Sequence, residues 1–477
     1  MEPGKESERN HATAEPEQTQ LSGMDKVPDD VLLEVFDHYR LASGYDWSRP
    51  RRWYRLVHVC RRWRLIVLAS SLRLNLQLRC TFGTQVEDMI THSPPFPLVL
   101  KYEPHHHNTW TTQDEEGTLF ALQHLERAHE IILIAPEHIL TRLTSSMTEA
   151  APLLKYLELR SQTKEVVLPG NFLGGAASQI QHMKLAGAAL RTLEPLLSHT
   201  TTLLTLALER IPSSVYVSPE NLIERIRSMP QLRTLSISFL STTPRPPLHP
   251  PSHIQRVELP MLRRLEYRGV SAYLEAFLAR IQIPRLNYIY ATLFNQLTFS
   301  MWHTSEFFRS VESFKPLRAR MEFSKTSAHI ILTAQPQPYQ FVDATLRVPC
   351  TCFDFQVSAM SQICSALHET LHLVEGLTLT FHGGELPEEW QNEVDLTLWR
   401  DLLSPFQCVK TLGVSATLGT ELGRALEPGE EDGPVAELLP ELLSSLYVGK
   451  MSACSRLHML PLIHSSMYAT VLVAQFK

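Results

Sequence analysis

The chain has 477 residues, of which 44% are hydrophobic and 20% charged, and its formal net charge is -6. These fractions are typical of globular proteins, so most of the chain is expected to fold. The length allows several domains, or one domain followed by a long array of repeats. A slightly negative chain has no overall electrostatic attraction to nucleic acid or to anionic membranes, so the sequence predicts neither as a partner.

The cysteine pattern and the first residues indicate the compartment. Seven cysteines are spread along the chain without a C-x-x-C pair, as expected for free thiols in a reducing compartment. Residues 1–24 contain no apolar signal-peptide core and are predicted to be a disordered tail. No apolar run reaches the roughly 18 residues of a membrane helix. The expected location is cytoplasmic, nuclear or both.

Apolar side chains recur at helical spacing directly after this tail. Pro28 and the two aspartates that follow it suit the first turn of a helix. The apolar stripe of this helix consists of Val31, Leu32, Val35, Phe36 and Tyr39. We interpret a second stripe as one further helix, consisting of Trp53, Leu56, Val57, Cys60, Trp63 and Val67, widened by Val59 and Ile66.

These helices carry more apolar surface than a small domain can bury in a core of its own, so a partner is expected to cover the remainder. We place this helical domain at residues 25–80. Its last segment, "LRLNLQLRC", alternates from Leu72 to Leu78, which predicts a strand.

An L-x-x-L-x-L pattern recurs in the remaining residues, 81–477. Successive copies start 23 to 30 residues apart, which is typical of leucine-rich repeats. The copies are Leu154/Leu157/Leu159, Ile180/Met183/Leu185, Leu203/Leu206/Leu208, Leu232/Leu235/Ile237, Leu262/Leu265/Tyr267 and the weaker Leu286/Ile289.

Three later copies have longer connections, and they start at Val374, Val409 and Leu443. Segments between copies, such as Ser218 to Pro230, have helical spacing. The stretch from Phe294 to Asp354 does not follow the pattern and is predicted only to be mixed and rich in strands. The expected fold class is α/β, with a short helical domain followed by an irregular solenoid of repeats.

The opening segment resembles a known family. "VPDDVLLEVFDHYRL" and "VHVCRRWRLIVLAS" follow, in order, the two halves of the F-box pattern, although Val27 stands in place of the usual Leu and the spacer is long. The whole chain resembles the F-box/leucine-rich-repeat proteins of mushroom-forming fungi, including "DLLSPFQCVKTLGVS" near residue 410.

The resemblance implies a substrate-recognition subunit of a cullin-RING ubiquitin ligase without catalytic residues or a cofactor of its own. The helical domain would dock onto a Skp-type adaptor, and through it onto a cullin, while the repeats would hold a protein substrate. The residues that would contact the adaptor are Val27, Pro28, Val31, Leu32, Val35, Phe36, Leu56, Val57, Val59, Cys60, Trp63 and Arg64.

A zinc peptidase is the alternative from a different class. "HETLH" matches H-E-x-x-H, in which His368 and His372 would bind Zn²⁺ and Glu369 would be the general base. Glu393 could supply a third ligand. Short motifs of this kind arise by chance, and the second histidine here directly precedes a repeat, which favours a surface helix before a strand. A repeat scaffold that binds a protein without any adaptor is the other alternative.

Three weaker signals have ordinary structural interpretations. The tripeptide His105 to His107 suits a polar loop, since no acid or cysteine framework surrounds it. Cys350 and Cys352 are too close for a zinc knuckle and are expected to be buried thiols. The arginines between positions 49 and 64, with Trp47 and Trp53, could suggest nucleic acid, but a solvated helix face or pairing with acidic side chains of a protein partner is the preferred interpretation.

Overall fold

The structure is a computed structural model of the whole chain. It describes residues 26–41, 52–71, 73–104, 109–175, 178–189, 200–212, 216–241, 256–294, 296–311, 314–334, 343–383, 394–426 and 445–449. The chain divides into two compact units, Met1–Arg79 and Cys80–Lys477. The sequence boundary was drawn one residue later, after Cys80. None of the helices in the described ranges combines the length and the apolar character needed to cross a membrane.

The first unit is helical, with α1 (Asp29–Leu41), α2 (Arg52–Val57) and α3 (Arg61–Ala69). Asp29 and Asp30 occupy the first turn of α1, where the helix dipole favours negative charge. The Phe36 and Trp63 rings meet edge to face with centroids 4.8 Å apart, which joins α1 to α3. Arg62 Nε adds a hydrogen bond of 3.1 Å to Asp29 Oδ1.

Two sequence interpretations of this unit are wrong in detail. The second stripe forms two helices, because Cys60 is extended and its sulfur accepts a hydrogen bond from Trp63 N (3.4 Å), starting α3 anew. Leu72, the first residue of the predicted strand, lies outside the described residues. Residues 73–75 form a turn, in which Asn75 adopts a positive φ of 48°, and a strand begins only at Leu78. A left-handed residue interrupts the two-residue period of a strand.

The chain forms an α/β structure around one large sheet. Its strands are β1 (Leu78–Cys80), β2 (Leu98–Tyr102), β3 (Ala128–Ala135), β4 (Tyr156–Ser161), β5 (Val166–Val167), β6 (His182–Ala186), β7 (Ala188–Ala189), β8 (Thr205–Ile211), β9 (Thr234–Phe239), β10 (Val257–Glu258), β11 (Arg264–Gly269), β12 (Ile281–Gln282), β13 (Tyr288–Leu293), β14 (Pro316–Ser324), β15 (Ser327–Ala334), β16 (Asp343–Pro349), β17 (Gly376–His382), β18 (Thr411–Ser415) and β19 (Ser445–Gly449).

Helices connect many of these strands. They are α4 (Val86–His92), α5 (Thr112–Leu122), α6 (Glu137–Ser145), α7 (Pro219–Ile226), α8 (Ser271–Leu278), α9 (Trp302–Ser310), α10 (Phe353–Ala366), α11 (His368–Leu371), α12 (Leu396–Leu403) and α13 (Ala416–Leu426). The helix predicted between Ser218 and Pro230 is confirmed as α7. Ser218 caps it by accepting a hydrogen bond from Asn221 N (3.2 Å), and Pro219 suits its first turn.

The large sheet is mostly parallel and is not closed. Its order is β1-β2-β3-β4-β6-β8-β9-β11-β13-β16-β15-β14-β17-β18-β19. The pairs β5 with β7 and β10 with β12 are short and separate. From β2 to β13 each strand of the sheet pairs in parallel with the next one along the chain, which requires a crossover between them and accounts for the intervening helices.

The L-x-L of each sequence repeat lies on one strand, and equivalent residues are in register. Leu157 pairs with Met183, which pairs with Leu206, and the same row continues through Leu235 and Leu265. These side chains are at most 1% exposed. One face of the sheet is therefore a continuous apolar layer.

The helices pack on this apolar face. Phe323 on β14 contacts Phe353 on α10 (ring centroids 5.6 Å apart) and Trp399 on α12 (5.8 Å). All three side chains are fully buried. Because side chains alternate along a strand, the residues between the buried ones face away from the helices.

The region from Phe294 to Asp354 is confirmed to be mixed and rich in strands. β14 and β15 form a tight antiparallel hairpin, in which the Ser324 hydroxyl accepts a hydrogen bond from Ser327 N (3.1 Å). β16 then returns between β13 and β15, parallel to the former and antiparallel to the latter. The hairpin is thus inserted into the parallel sheet, which resumes where β14 pairs with β17.

Candidate functional site

The residues expected to contact an adaptor differ in their solvent exposure. Leu32, Phe36 and Val57 are buried, at 1%, 0% and 7% exposure. Val27, Leu56 and Trp63 are partly exposed, and the exposed ones are Pro28, Val31, Val35, Val59, Cys60 and Arg64. These three side chains are covered within the chain itself, and their contact with an adaptor stays a prediction.

The stripe of α1 divides lengthwise into a buried and an exposed half. Leu32 and Phe36 lie one turn apart on the buried half, and Val31 and Val35 lie one turn apart on the other half. Val31 is 46% exposed and Val35 is 51% exposed. α1 therefore has a solvent-exposed apolar edge in addition to its buried half.

Leu65 is an exposed apolar residue that sequence reasoning missed. It lies on α3 at 60% exposure, and Val59, in the turn before that helix, is 58% exposed. Both side chains add to the exposed apolar surface of the first unit, in addition to the valines of α1.

Some arginines of this unit have structural contacts. Arg62 binds Asp29, and Arg64 Nε donates a hydrogen bond to the Val57 carbonyl (2.9 Å). Arg73 forms ion pairs with Glu34 and Asp37. These contacts lie within the chain, so pairing of the arginines with acidic side chains of a protein partner stays a prediction.

The first four residues of the H-E-x-x-H motif form the short helix α11, and His372 is its C-cap. His368 and His372 are exposed, and Glu369, the proposed general base, forms an ion pair with Arg309. Glu393 lies outside the described residues. Within the part of the chain that the structure describes, no group of three or more His, Cys, Asp or Glu side chains could hold a metal ion.

The remaining sequence candidates are easily placed. Cys350 is buried, and its burial raises the pKa of its thiol, whereas Cys352 is exposed and precedes α10. The expectation of a buried thiol is therefore confirmed for Cys350 and wrong for Cys352. The histidines from His105 to His107 lie outside the described residues.

The face of the large sheet that points away from the helices carries interacting polar side chains. Near one side, the Tyr156 hydroxyl donates to Glu158 Oε2 (2.8 Å), and Lys184 Nζ lies 3.8 Å from the same oxygen. His182 Nδ1 is hydrogen-bonded to Thr205 Oγ1 (3.1 Å). Burial lowers the pKa of His182, assisted by the nearby charge of Lys184.

Further polar contacts follow on the same face. Arg264 Nε lies 2.6 Å from Glu266 Oε1, and its guanidinium lies over the Tyr288 ring at 4.5 Å. Around the inserted hairpin, Glu322 Oε2 is 2.9 Å from His329 Nε2 and 3.2 Å from His382 Nε2. The hydrogen bond from His329 lowers the pKa of Glu322.

Sequence reasoning did not single out these polar residues, although the signal was available. Glu158, Lys184 and Glu266 occupy the x positions of their L-x-L, whereas Glu322 and His329 lie on the inserted hairpin, outside the repeat pattern. Their mutual contacts depend on which strands are neighbours, and the repeat pattern does not give that order. The face therefore presents charged, hydroxyl and aromatic groups that contact one another.

No protein-family model matches the sequence, and no curated protein matches it.

Proposed function

We propose that this protein is a non-catalytic substrate-recognition subunit of a cullin-RING ubiquitin ligase. In this proposal the first unit is an F-box that docks onto a Skp-type adaptor. The second unit is an irregular leucine-rich-repeat solenoid that binds a protein substrate. The protein acts by tethering the substrate near the ubiquitin-charged enzyme, which raises its effective concentration.

The exposed edge of α1 is the observation that carries the docking part of the proposal. Val31 and Val35 are about half exposed although they belong to the same helix as the fully buried Phe36. A helix that lays an apolar edge into a partner's groove presents residues one turn apart in this way. Exposed Val59 and Leu65 add apolar surface in the same unit.

The stacked strands support the substrate-binding part of the proposal. Each sequence repeat contributes one strand, buries its leucines against the helices and leaves alternate side chains on the polar face of the sheet. In repeat proteins the accumulated outward side chains form an extended binding surface. The inserted hairpin β14–β15 makes the proposed solenoid irregular.

The adaptor-docking test uses Val31→Asp/Val35→Asp in the full-length protein. A buried carboxylate in an apolar groove is strongly unfavourable, so binding to purified Skp-type adaptor should weaken at least thirtyfold, corresponding to about 2 kcal/mol. The matched control is Leu153→Asp/Val167→Asp, which charges two apolar residues of the second unit that are 48% and 65% exposed. The control should bind like the wild type, and both variants should keep the wild-type circular dichroism spectrum.

Equal adaptor binding by the wild type and Val31→Asp/Val35→Asp would exclude docking through this edge. If the wild type itself does not bind the adaptor, the ubiquitin-ligase proposal is wrong, and a protein-binding scaffold without an adaptor is the remaining function. Phe36 is unsuitable for this test, because a charge at a fully buried position unfolds the helices whether or not they dock.

A further inference from the structure

Two arginines lie in one row across the middle of the sheet's polar face. Arg268 on β11 pairs in register with Thr292 on β13, and Thr292 pairs with Arg347 on β16. We call Arg268, Thr292 and Arg347 the arginine row. Neighbouring strands are separated by about 4.8 Å, so the backbones of the two arginines are about 10 Å apart.

Neither arginine has an acidic partner among the described residues. The nearby carboxylates are engaged elsewhere: Glu266 binds Arg264 (2.6 Å), and Glu322 contacts His329, 2.9 Å away. Arg268 is exposed, and its guanidinium lies 5.9 Å from the centre of the Phe294 ring. The row therefore retains two positive charges that the described residues do not neutralise.

Arg347 is partly exposed, but one of its guanidinium nitrogens is withdrawn from the surface. Its Nε is buried, and no group among the described residues accepts a hydrogen bond from it. A charged donor that is withdrawn from water without an acceptor is unfavourable, and an incoming oxyanion would relieve that state. The neighbouring side chains on the same face carry hydroxyl groups. Thr292 and Thr345 are each 8% exposed, and Tyr290 is partly exposed.

We propose that the arginine row binds an acidic, extended segment of a partner protein through two of its carboxylates. In an extended polyproline II segment, residues three apart lie on the same side and are about 9.3 Å apart, close to the separation of the two arginines. The guanidinium fork matches a carboxylate with two parallel hydrogen bonds. The expected segment has acidic residues at positions i and i+3.

A peptide fits this surface better than a nucleic acid. The chain has a net charge of -6, and carboxylates such as Glu158, Glu266 and Glu322 lie on the same face of the sheet. A phosphate backbone is bound through many cationic contacts, whereas these carboxylates already pair with the cations beside them. A short segment with two acidic side chains needs only the two positive positions.

This inference rests on the proposed function in that the acidic segment would belong to the substrate, but its assay does not require the adaptor. The probe is a fluorescently labelled peptide containing Glu-Pro-Pro-Glu, in which the prolines favour the extended conformation. Its binding to the full-length protein is followed by anisotropy at low salt. The comparison probes are Gln-Pro-Pro-Gln, the same peptide with phosphoserine in place of both acids, and a single-stranded RNA oligonucleotide.

The variants are Arg268→Gln/Arg347→Gln and the matched control Arg160→Gln. Arg160 lies on the same face but is already paired, 3.3 Å from Glu158. The wild type and the control should bind Glu-Pro-Pro-Glu with dissociation constants within threefold of each other. The double variant should bind at least tenfold more weakly, and Gln-Pro-Pro-Gln should not bind to the wild type.

A thermal melt separates ligand binding from a structural role. Because Arg347 Nε has no described acceptor, Arg347→Gln should leave the Tm unchanged or raise it. A lower Tm would show that Arg347 stabilises the fold and would overturn the proposal. Unchanged peptide affinity in the double variant would also overturn it, as would binding only of the phosphoserine peptide or only of RNA.

The two proposals fail independently. Loss of adaptor binding in Val31→Asp/Val35→Asp with retained peptide binding supports both. Retained adaptor binding by a wild type that does not bind the acidic peptide removes the arginine-row inference alone. Peptide binding by a wild type that does not bind the adaptor removes the ubiquitin-ligase proposal and leaves an acidic-peptide receptor.

Discussion

Phe36→Ala is expected to destabilise the helices of the first unit strongly. The side chain is 0% exposed, and its ring meets Trp63 edge to face at 4.8 Å. Removing a buried phenylalanine lowers the free energy of unfolding by about 3–5 kcal/mol, and loss of the ring pair is part of that change. We expect about 4 kcal/mol, which corresponds to a roughly thousandfold increase in local opening.

Hydrogen exchange of backbone amides in α1 to α3 measures this opening directly. The amides of β4 to β9 provide an internal reference in the second unit. The matched control is Val35→Ala, whose side chain is 51% exposed, so the change should be about 0.5 kcal/mol and the exchange less than threefold faster. An amide exchange rate in Phe36→Ala within tenfold of the wild-type rate would contradict the packing of α1 against α3.

Two further predictions concern the second unit. Glu275→Ala should lower the free energy of unfolding in urea by about 3 kcal/mol. The buried Glu275 carboxylate accepts hydrogen bonds from His303 N (2.6 Å), Thr304 N (3.0 Å) and the Thr304 hydroxyl (2.5 Å) at the start of α9. A loss below 1 kcal/mol would show that water replaces these contacts. Burial lowers the pKa of His182 from its ordinary 6.5, so the unfolded chain takes up this proton at a higher pH than the folded one, and stability is lost as the pH falls below about 6.5. The Tm of the wild type should therefore fall more between pH 7 and pH 5 than that of His182→Gln, and parallel pH profiles would contradict the assignment.

The local repeat pattern was sufficient to predict much of the second unit. Every L-x-L from Leu157 to Tyr267 lies on a parallel strand, because a buried strand residue must alternate with an outward one and each copy repeats that requirement. The helix at Ser218 was predictable from its cap and its spacing. These features depend on residues close together in the chain.

Non-local packing decided the features that the sequence could not give. Val31, Leu32, Val35 and Phe36 are all apolar, and the spacing alone does not tell which of them are covered. Phe36 is covered in part by Trp63, which is distant in sequence. The arginine row exists because β16 returns beside β13, across an inserted hairpin whose place in the sheet no local pattern encodes. The turn at Asn75 shows the converse, since one residue with a positive φ overrides an alternation that predicts a strand.

The inserted hairpin has a consequence for the order in which the second unit assembles. β14 and β15 are joined by a two-residue connection, whereas parallel neighbours such as β8 and β9 are separated by a long crossover. Closing a short loop loses little chain entropy, so local antiparallel pairs form in microseconds while distant parallel pairs form slowly. We therefore expect the hairpin β14–β15, in the interior of the sheet, to form early and the strands on both sides to pair with it later.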